Sequence, residues 1–471
     1  MSVVEGNGYL DPMSIPLEPD AAARSDLNSQ ADEFVEDWYS RTSDTEAAGH
    51  PLTDDQIASL MAPPGEDGRP MSEVLQTLDL AGQAGIVHRS GGHMSYIPNG
   101  GLYSAALADL IAAGLNRYTG VAGAAPGMTA IETGVTDWIA SLFDLGDSAA
   151  AILLSGGSTA NLTGVVAARV NRLGERFDDG ALYVTTHTHH SVAKAARIAG
   201  FRNDQIRDVP VDDDLRMRTD ALEGMIVEDS EKGMRPFLVV GSAGTTDTGT
   251  VDDLGAVSRV AAEHNLWLHT DAAYGGFFQI TERGRERLSG IENSDSIALD
   301  PHKGLSIPFG VGALVVRQQN HLIDANHGRG AYLNHDEVHQ GLRDISSLGP
   351  ELSRPFRGLP VWLPLHLHGI APFREALNDS LDLAEHAYER VRKLEGVNAS
   401  WKPDLSILAF GFDDDDRGRE AMDRVNDDRV AHLSSTEVNG RFVLRMAILN
   451  RRTTAEHVDH AIDLIEKTLI G

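Results

Sequence analysis

Ala150-Ala-Ile-Leu-Leu-Ser-Gly-Gly-Ser-Thr-Ala-Asn-Leu162 joins a short apolar run to a glycine pair and then to a stretch with helical spacing. An apolar run closed by glycine and opening a helix is a strand–turn–helix unit. The alternation continues downstream. Ala181–Thr185 precedes helical Ser191–Ala199, and Pro236–Val240 precedes helical Asp253–Asn265. Leu266–His269, Ser296–Leu299 and Gly312–Val316 add further apolar runs. Strands separated by about 10–15 helical residues predict an α/β fold, its mainly parallel central sheet covered on both faces.

The flanks read differently. Residues 1 to 30 are polar and expected to be loose. From Leu27 to Val87 the pattern is amphipathic helix, a break at Pro63-Pro64-Gly65, and helix again with the stripe Val74, Leu75, Leu78, Leu80, Ala81 and Ile86. Residues 101–145 read as further helix. Beyond Pro360 a helix over Phe373–Lys393 precedes strand-like Ser406–Phe412 and Phe442–Leu449. A last helix opens at a Thr453-x-x-Glu456 capping box. Three parts are expected: a helical segment over 1–95, a large α/β domain over 96–355 and a small α+β domain over 356–471. The run Asp413–Asp416 reads as a solvated turn rather than a metal site.

The 471 residues include 40 Lys+Arg and 70 Asp+Glu, a formal net charge of −30. A surface this acidic repels phosphate backbones and anionic lipid, which argues against a nucleic-acid or membrane-surface binder. With no cysteine there is no thiolate nucleophile, disulfide or Cys-ligated metal. The N-terminal MSVVEGNGYLDP lacks a basic and an apolar region, and no apolar run approaches the ~20 residues of a membrane helix. A cytoplasmic protein is expected. Lysine occurs only at 194, 232, 303, 393, 402 and 467. That bias suits a protein hydrated in concentrated salt, and it equally suits arginine-favouring codons.

Four features carry chemistry. Ser155-Gly156-Gly157-Ser158 sits at a strand-to-helix turn, where backbone N–H groups and the helix dipole can cradle an anion; an ordinary tight turn reads the same way. The spacing is neither a Walker A loop nor GxGxxG. Asp271, in Trp267-Leu-His-Thr-Asp-Ala-Ala-Tyr-Gly-Gly276, follows a buried strand at the end where open α/β sheets place ligands. It can hold a proton on a heterocyclic nitrogen. Lys303, in Asp300-Pro-His-Lys303-Gly304, is a rare lysine after another strand, and a partly desolvated lysine forms Schiff bases. His187-Thr-His189-His190 offers three imidazoles without metal-ligand spacing, so one stacking histidine with structural neighbours is expected and no metal. A phosphate cradle, a carboxylate for a ring nitrogen, a planar side chain for a ring face and a Schiff-base lysine together match pyridoxal 5′-phosphate.

The chain resembles the pyridoxal-phosphate-dependent group II amino-acid decarboxylases, the family of aromatic-amino-acid, glutamate and 2,4-diaminobutyrate decarboxylases. The blocks are Ala125-Pro-Gly-Met-Thr-Ala-Ile-Glu132, Ser155–Leu162, His189-His-Ser-Val-Ala-Lys194, Gly244-Thr-Thr246, His269–Gly276 and Asp300–Lys303, in family order. The resemblance implies a fold-type-I, aspartate-aminotransferase-like architecture. It implies that Lys303 carries the cofactor, that Asp271 pairs with the pyridine nitrogen, and that His189 and Ala273 cover the two ring faces. Thr246 would lie near the ring's polar edge, and Gly157, Ser158 and His302 would contact the phosphate. Glu132 would lie near the pocket. Tyr332 would protonate the substrate carbon from a mobile loop that reaches the neighbouring subunit's site, which implies a homodimer with active sites at the interface. Pro98 and Asn99, in Tyr96-Ile-Pro-Asn99, would lie near the substrate, and Arg357, with Arg354, matches a basic pair of the family. Two positions depart from the pattern: Gly304 replaces a large aromatic, and Asp300 stands where many members have asparagine near the phosphate. The implied reaction converts an L-amino acid to its amine and CO₂, with aromatic substrates first and glutamate, aspartate or 2,4-diaminobutyrate behind. Arg117 either binds an acidic substrate side chain or pairs with surface carboxylates. An aldehyde synthase or aminotransferase on the same scaffold, and a catalytically silent binding protein, are the alternatives.

Overall fold

The computed structural model describes residues 15–41, 46–326 and 342–470. The strands of the large sheet are β1 (Ala150–Leu154), β2 (Gly180–Val184), β3 (Ile206–Asp208), β4 (Arg235–Ser242), β5 (Trp267–Asp271), β6 (Ser296–Leu299) and β7 (Gly312–Val316). Their spatial order is β1-β7-β6-β5-β4-β2-β3. Only β7 runs antiparallel to its neighbours, β1 and β6; the other pairings are parallel. This is the mainly parallel α/β sheet that the alternating pattern predicts.

Side chains alternate across the pleat. Leu153, Ala313, Val315, Ile297 and Leu299 face one layer with Val135 and Ile139 of the helix Pro126–Ser141. Ile152, Leu154, Leu314, Val316 and Ala298 face the other, against the helices Gly157–Leu173 and His190–Ile198. Every residue of β5 is buried, so the polar groups it carries must find partners inside the protein.

The second sheet contains β8 (Val397–Asn398), β9 (Ile407–Phe412), β10 (Ser434–Val438) and β11 (Arg441–Ala447), ordered β10-β11-β9-β8 and antiparallel throughout. Ala384, Ala387 and Val391 of the helix Ala371–Val391, and Ile462 and Ile465 of the last helix, pack on its Phe410 and Met446. The segment 90–94 is stitched to this unit. Met94 N donates to His432 O and Ala447 N donates to Met94 O, while Asn450 Nδ2 donates to Ser90 O.

Several expectations need correction. A helix covers Ala21–Arg41, so its first residues fall in the stretch to residue 30 expected to be loose, while the remainder matches the helix expected from Leu27. The span 101–145 holds two α-helices, because Asn116 takes a left-handed conformation (φ 41°) after Leu115 and Pro126 opens a new helix. Thr453 does not form the expected capping box: its hydroxyl donates to Gly91 O, and Thr454 precedes the helix, facing His457 Nδ1. The acidic run at 413–416 opens the helix Asp415–Asp428, with Asp414 as its cap, so its charges complement a helix N-terminus.

Candidate active site

The strand ends and the turn after β1 enclose a cavity of about 290 Å³. Gly157 and Ser158, the first residues of the helix Gly157–Leu173, line it. Gly156 before them has φ 156°, and a Cβ on Gly157 would lie 2.9 Å from both Ala273 Cβ and Asp300 Oδ2. The turn is bare because neighbouring side chains already fill the space a larger residue would need. Its N–H groups therefore line the cavity at a helix N-terminus, a ready anion site.

Asp271 ends β5 and is 7% exposed. Its Oδ1 accepts from Ala273 N (3.1 Å) and its Oδ2 from Asn161 Nδ2 (2.9 Å). Asn161 also donates to Ser191 Oγ (2.9 Å), and its Oδ1 accepts from His269 Nε2 (2.9 Å). The donors and acceptors then follow one another without choice. His269 Nδ1 accepts from the Ser296 hydroxyl (2.7 Å), and Ser296 Oγ accepts from Trp267 Nε1 (2.8 Å). Burial pushes the His269 imidazole down to about 4, which keeps the ring neutral and Nδ1 an acceptor. Gly164 is required beside it, since a Cβ there would lie 2.8 Å from His269 Cε1.

The other branch reaches His189. Having accepted from Asn161, the Ser191 hydroxyl donates to His189 Nδ1 (2.7 Å), which also caps the helix His190–Ile198. Burial lowers the affinity of His189 for a second proton. Its ring tilts against His190, and His187 Nδ1 binds Asp247 (2.5 Å), which holds the His187 proton more tightly. Thr246 lines the cavity, with its carbonyl accepting from the Arg445 guanidinium.

Lys303 lies in the one-turn helix Pro301–Gly304 after β6, with its Nζ 2.9 Å from Asp300 Oδ2. His302 Nδ1 donates to Val311 O (2.7 Å), so its Nε2 faces Asp300 Oδ2 at 3.5 Å. Gly304 is explained locally: a Cβ there would lie 2.6 Å from Phe277 Cβ, so Phe277 occupies that space.

One cavity thus gathers Gly157, Ser158, His189, Thr246, Asp271, Ala273, His302 and Lys303 from five separate stretches of chain. Other expected positions lie elsewhere. Glu132 is buried against Arg354 (2.6 Å) and accepts from Gly358 N (3.1 Å), and burial raises its proton affinity. Arg357 is bidentate to Glu351 (2.6 and 2.9 Å) and does not line the cavity. Pro98 and Asn99 are outside the lining too; Asn99 Nδ2 donates to Leu449 O (3.3 Å) and Pro98 O faces His93 Nε2 (3.3 Å). Arg117 donates to Ala124 O (3.2 Å) at the surface. Tyr332 lies outside the described residues. Sequence reasoning missed Asn161, Ser191, His269 and Ser296 as supports. The first three stand inside the quoted blocks, but polar residues in buried elements announce themselves only once burial is known.

A bare anion cradle, a supported carboxylate, a planar imidazole and a lysine converging on one cavity fit pyridoxal phosphate. Comparison with known proteins agrees. The pyridoxal-dependent decarboxylase conserved domain matches residues 65–412. An aromatic-L-amino-acid decarboxylase of Bacillus atrophaeus is 32% identical over 404 residues, covering 83% of this chain and 84% of its own. Tryptophan decarboxylase 1 of Oryza sativa subsp. japonica is 29% identical over 487 residues, covering 96% and 94%. Among solved structures, Oryza sativa TDC with PLP and tryptamine superposes with a TM-score of 0.91 at 27% identity, covering 97% of this chain and 99% of that one. Rhodiola rosea 4-hydroxyphenylacetaldehyde synthase shares the fold at a TM-score of 0.88 and 24% identity, covering 96% and 98%. The chain belongs to the pyridoxal-dependent decarboxylase family. It is a fold-type-I enzyme that uses pyridoxal phosphate to decarboxylate an L-amino acid.

Proposed function

We propose that the substrate is an aromatic L-amino acid, converted to its arylalkylamine and CO₂. The observation that carries this reading is the charge of the cavity wall. Lys303 is the sole lysine or arginine lining it among the described residues, and it is committed to the cofactor. An acidic substrate side chain would find no cation there, since Arg357 is held by Glu351 and Arg117 lies at the surface. The aromatic-L-amino-acid and tryptophan decarboxylases among the relatives support the same choice.

Bound pyridoxal phosphate supplies an aldehyde that captures the substrate amine and a ring that accepts the electrons of the breaking carboxylate bond. The residues do the rest. Gly157, Ser158 and His302 would hold the phosphate. His189, Ala273 and Thr246, which line the cavity, would hold the ring. Asp271, held by Asn161 and Ala273 N, keeps a proton on the ring nitrogen, an electrostatic effect made strong by burial. Lys303 Nζ would anchor the cofactor. Tyr332 would deliver the proton to the substrate carbon. Pro98 and Asn99 would lie near the substrate, and Arg357 is held by Glu351 instead of reaching it.

The assembly proposed is a homodimer with shared active sites in a cytoplasmic enzyme, built of parts 1–95, 96–355 and 356–471. Tyr103, Leu107, Leu110, Ile111 and Leu115 on the helix Tyr103–Leu115 are exposed, an apolar face suited to a second copy. No described helix is long and apolar enough to cross a membrane.

The test is to incubate reconstituted enzyme with pooled L-amino acids and identify products by mass spectrometry. Arylalkylamines are expected. The amine of glutamate or diaminobutyrate would overturn the substrate assignment, and aldehydes in place of amines would make the chain an aldehyde synthase. Tyr332→Phe should divert product from amine to carbonyl compound; an unchanged amine yield removes Tyr332 as the acid.

A further inference from the structure

We propose that His187 and Asp247 are a positioning pair that ties together the two turns carrying His189 and Thr246, and that this tie, standing behind the cavity wall, sets how tightly the cofactor is held. The inference rests on the reading of the cavity as the cofactor site.

The sheet brings the two turns side by side. β2 and β4 are parallel neighbours, so the chain leaves both at the same edge. The turn after β2 holds His187, two residues before His189, and the turn after β4 holds Asp247, next to Thr246. His189 and Thr246 line the cavity, whereas His187 and Asp247 do not. The pair meets behind them. His187 Nδ1 lies 2.5 Å from Asp247 Oδ2, with the two side chains 9% and 22% exposed.

Each turn is stiff by itself. Thr185 N donates to Thr188 Oγ1 (2.9 Å) and Thr188 N to Thr185 O (3.1 Å), which brackets His187. In the second turn Thr245 N donates to Thr250 O (2.9 Å), Gly249 N to Thr245 O (3.0 Å) and Thr248 N to Asp247 Oδ1 (2.8 Å). Arg445 of β11 grips this turn from the small sheet by the carbonyls of Thr246 and Asp247. The spacing between the turns is a separate matter. The ladder of β2 with β4 ends at the pair Tyr183 and Val239, short of either turn. Beyond it, the His187–Asp247 bond joins them. Walls that close on one ring from separate turns lose affinity if their spacing fluctuates, because binding must then freeze that motion. The tie freezes it beforehand.

The tie also carries charge. The hydrogen bond to Asp247 raises the proton affinity of His187 against the effect of burial, and Asp252 adds a further attraction. Arg445 faces Asp247 from β11, and His189 and His190 follow on the same stretch as His187. With its extra proton, His187 makes a charge-assisted bond to the carboxylate. Without it, Nδ1–H still donates, since a carboxylate can only accept, and a weaker bond remains. The tie therefore loosens without breaking as pH rises through the His187 value.

The experiment titrates apoenzyme with pyridoxal 5′-phosphate by calorimetry. His187→Leu removes the bond, Asp247→Ser keeps a turn-forming hydroxyl too short to reach His187, and His187→Asn keeps a neutral donor near the place of Nδ1. His187→Leu and Asp247→Ser should each weaken binding about tenfold, and the double variant also about tenfold rather than a hundredfold. His187→Asn should recover most of the loss. The ratio of its dissociation constant to that of wild type should be larger at about pH 6.5 than at about pH 9, where wild-type His187 loses its charge as well. Visible circular dichroism of the bound cofactor, which reads how the ring sits between its walls, should fall in His187→Leu at saturating pyridoxal phosphate. Single variants with wild-type affinity, or a double variant weakened about a hundredfold, would overturn the proposal. Should His187→Leu fail to fold, the His187→Asn ratio decides, and a ratio that ignores pH overturns the tie. Wild type that binds no pyridoxal phosphate is a separate outcome: it removes the cofactor reading and the inference with it.

Discussion

The two ends of the cavity are built on opposite terms. Around Asp271 each polar group has a partner: Asn161 spends both amide protons and its oxygen, and Ser191, His269, Ser296 and Trp267 continue the chain. Around Asp300 one carboxylate oxygen is buried without a hydrogen-bond partner and the other meets the Lys303 ammonium. A completed network rigidifies, whereas an incomplete one stores a demand that a ligand or a proton must meet. The Asp271 end is thus complete within the chain itself, while the Asp300 end is not.

The largest expected effect is at the pivot between the two ends. Lys303→Ala should leave no measurable turnover and no visible cofactor absorbance on reconstitution, and retention of both would remove the assignment. Asp271→Asn comes next. It keeps the shape of the completed end but removes its charge, and turnover should fall about a hundredfold or more while folding, followed by circular dichroism, is kept. A loss under tenfold would mean that the network, not the charge, matters.

The buried histidines sharpen the contrast through pH. Burial pushes His269 and His93 down to about 4. The unfolded chain takes up protons near 6.5 while the folded rings stay neutral, so this stability is present above the unfolded value and is lost as pH falls toward 4. The loss should be roughly 3 kcal/mol for each histidine, read from urea unfolding between about pH 7 and 4. A flat profile would show the rings to be hydrated. The smallest effect is Asn161→Leu, which leaves Asp271, Ser191 and His269 with unmet groups. Stability should drop by about 2 kcal/mol in the same unfolding assay. An unchanged midpoint would show that Asp271 needs no support.

The strands carrying the site were legible because buried parallel strands are continuous apolar runs, and Ala150–Leu154, Ser296–Leu299 and Gly312–Val316 match without shift. Short β3 and half-exposed β10 carry no such run and were missed. Lys303 and Asp271 stood out by residue type after a strand. Arg357 and Asn99 carried the same polar signal, and their partners Glu351 and Leu449 O use it for packing instead.

The local pattern by itself determined the α/β alternation, the bare glycine turn and the residue types needed to hold pyridoxal phosphate, because these depend on neighbours a few positions apart. Only tertiary structure decided which polar groups are completed. Asn161 and Asp271 are 110 residues apart in the chain, and Gly157 and Asp300 come from different crossovers of the sheet. Whether a buried carboxylate is satisfied is a matter of ångströms between distant segments, which the order of residues along the chain does not express.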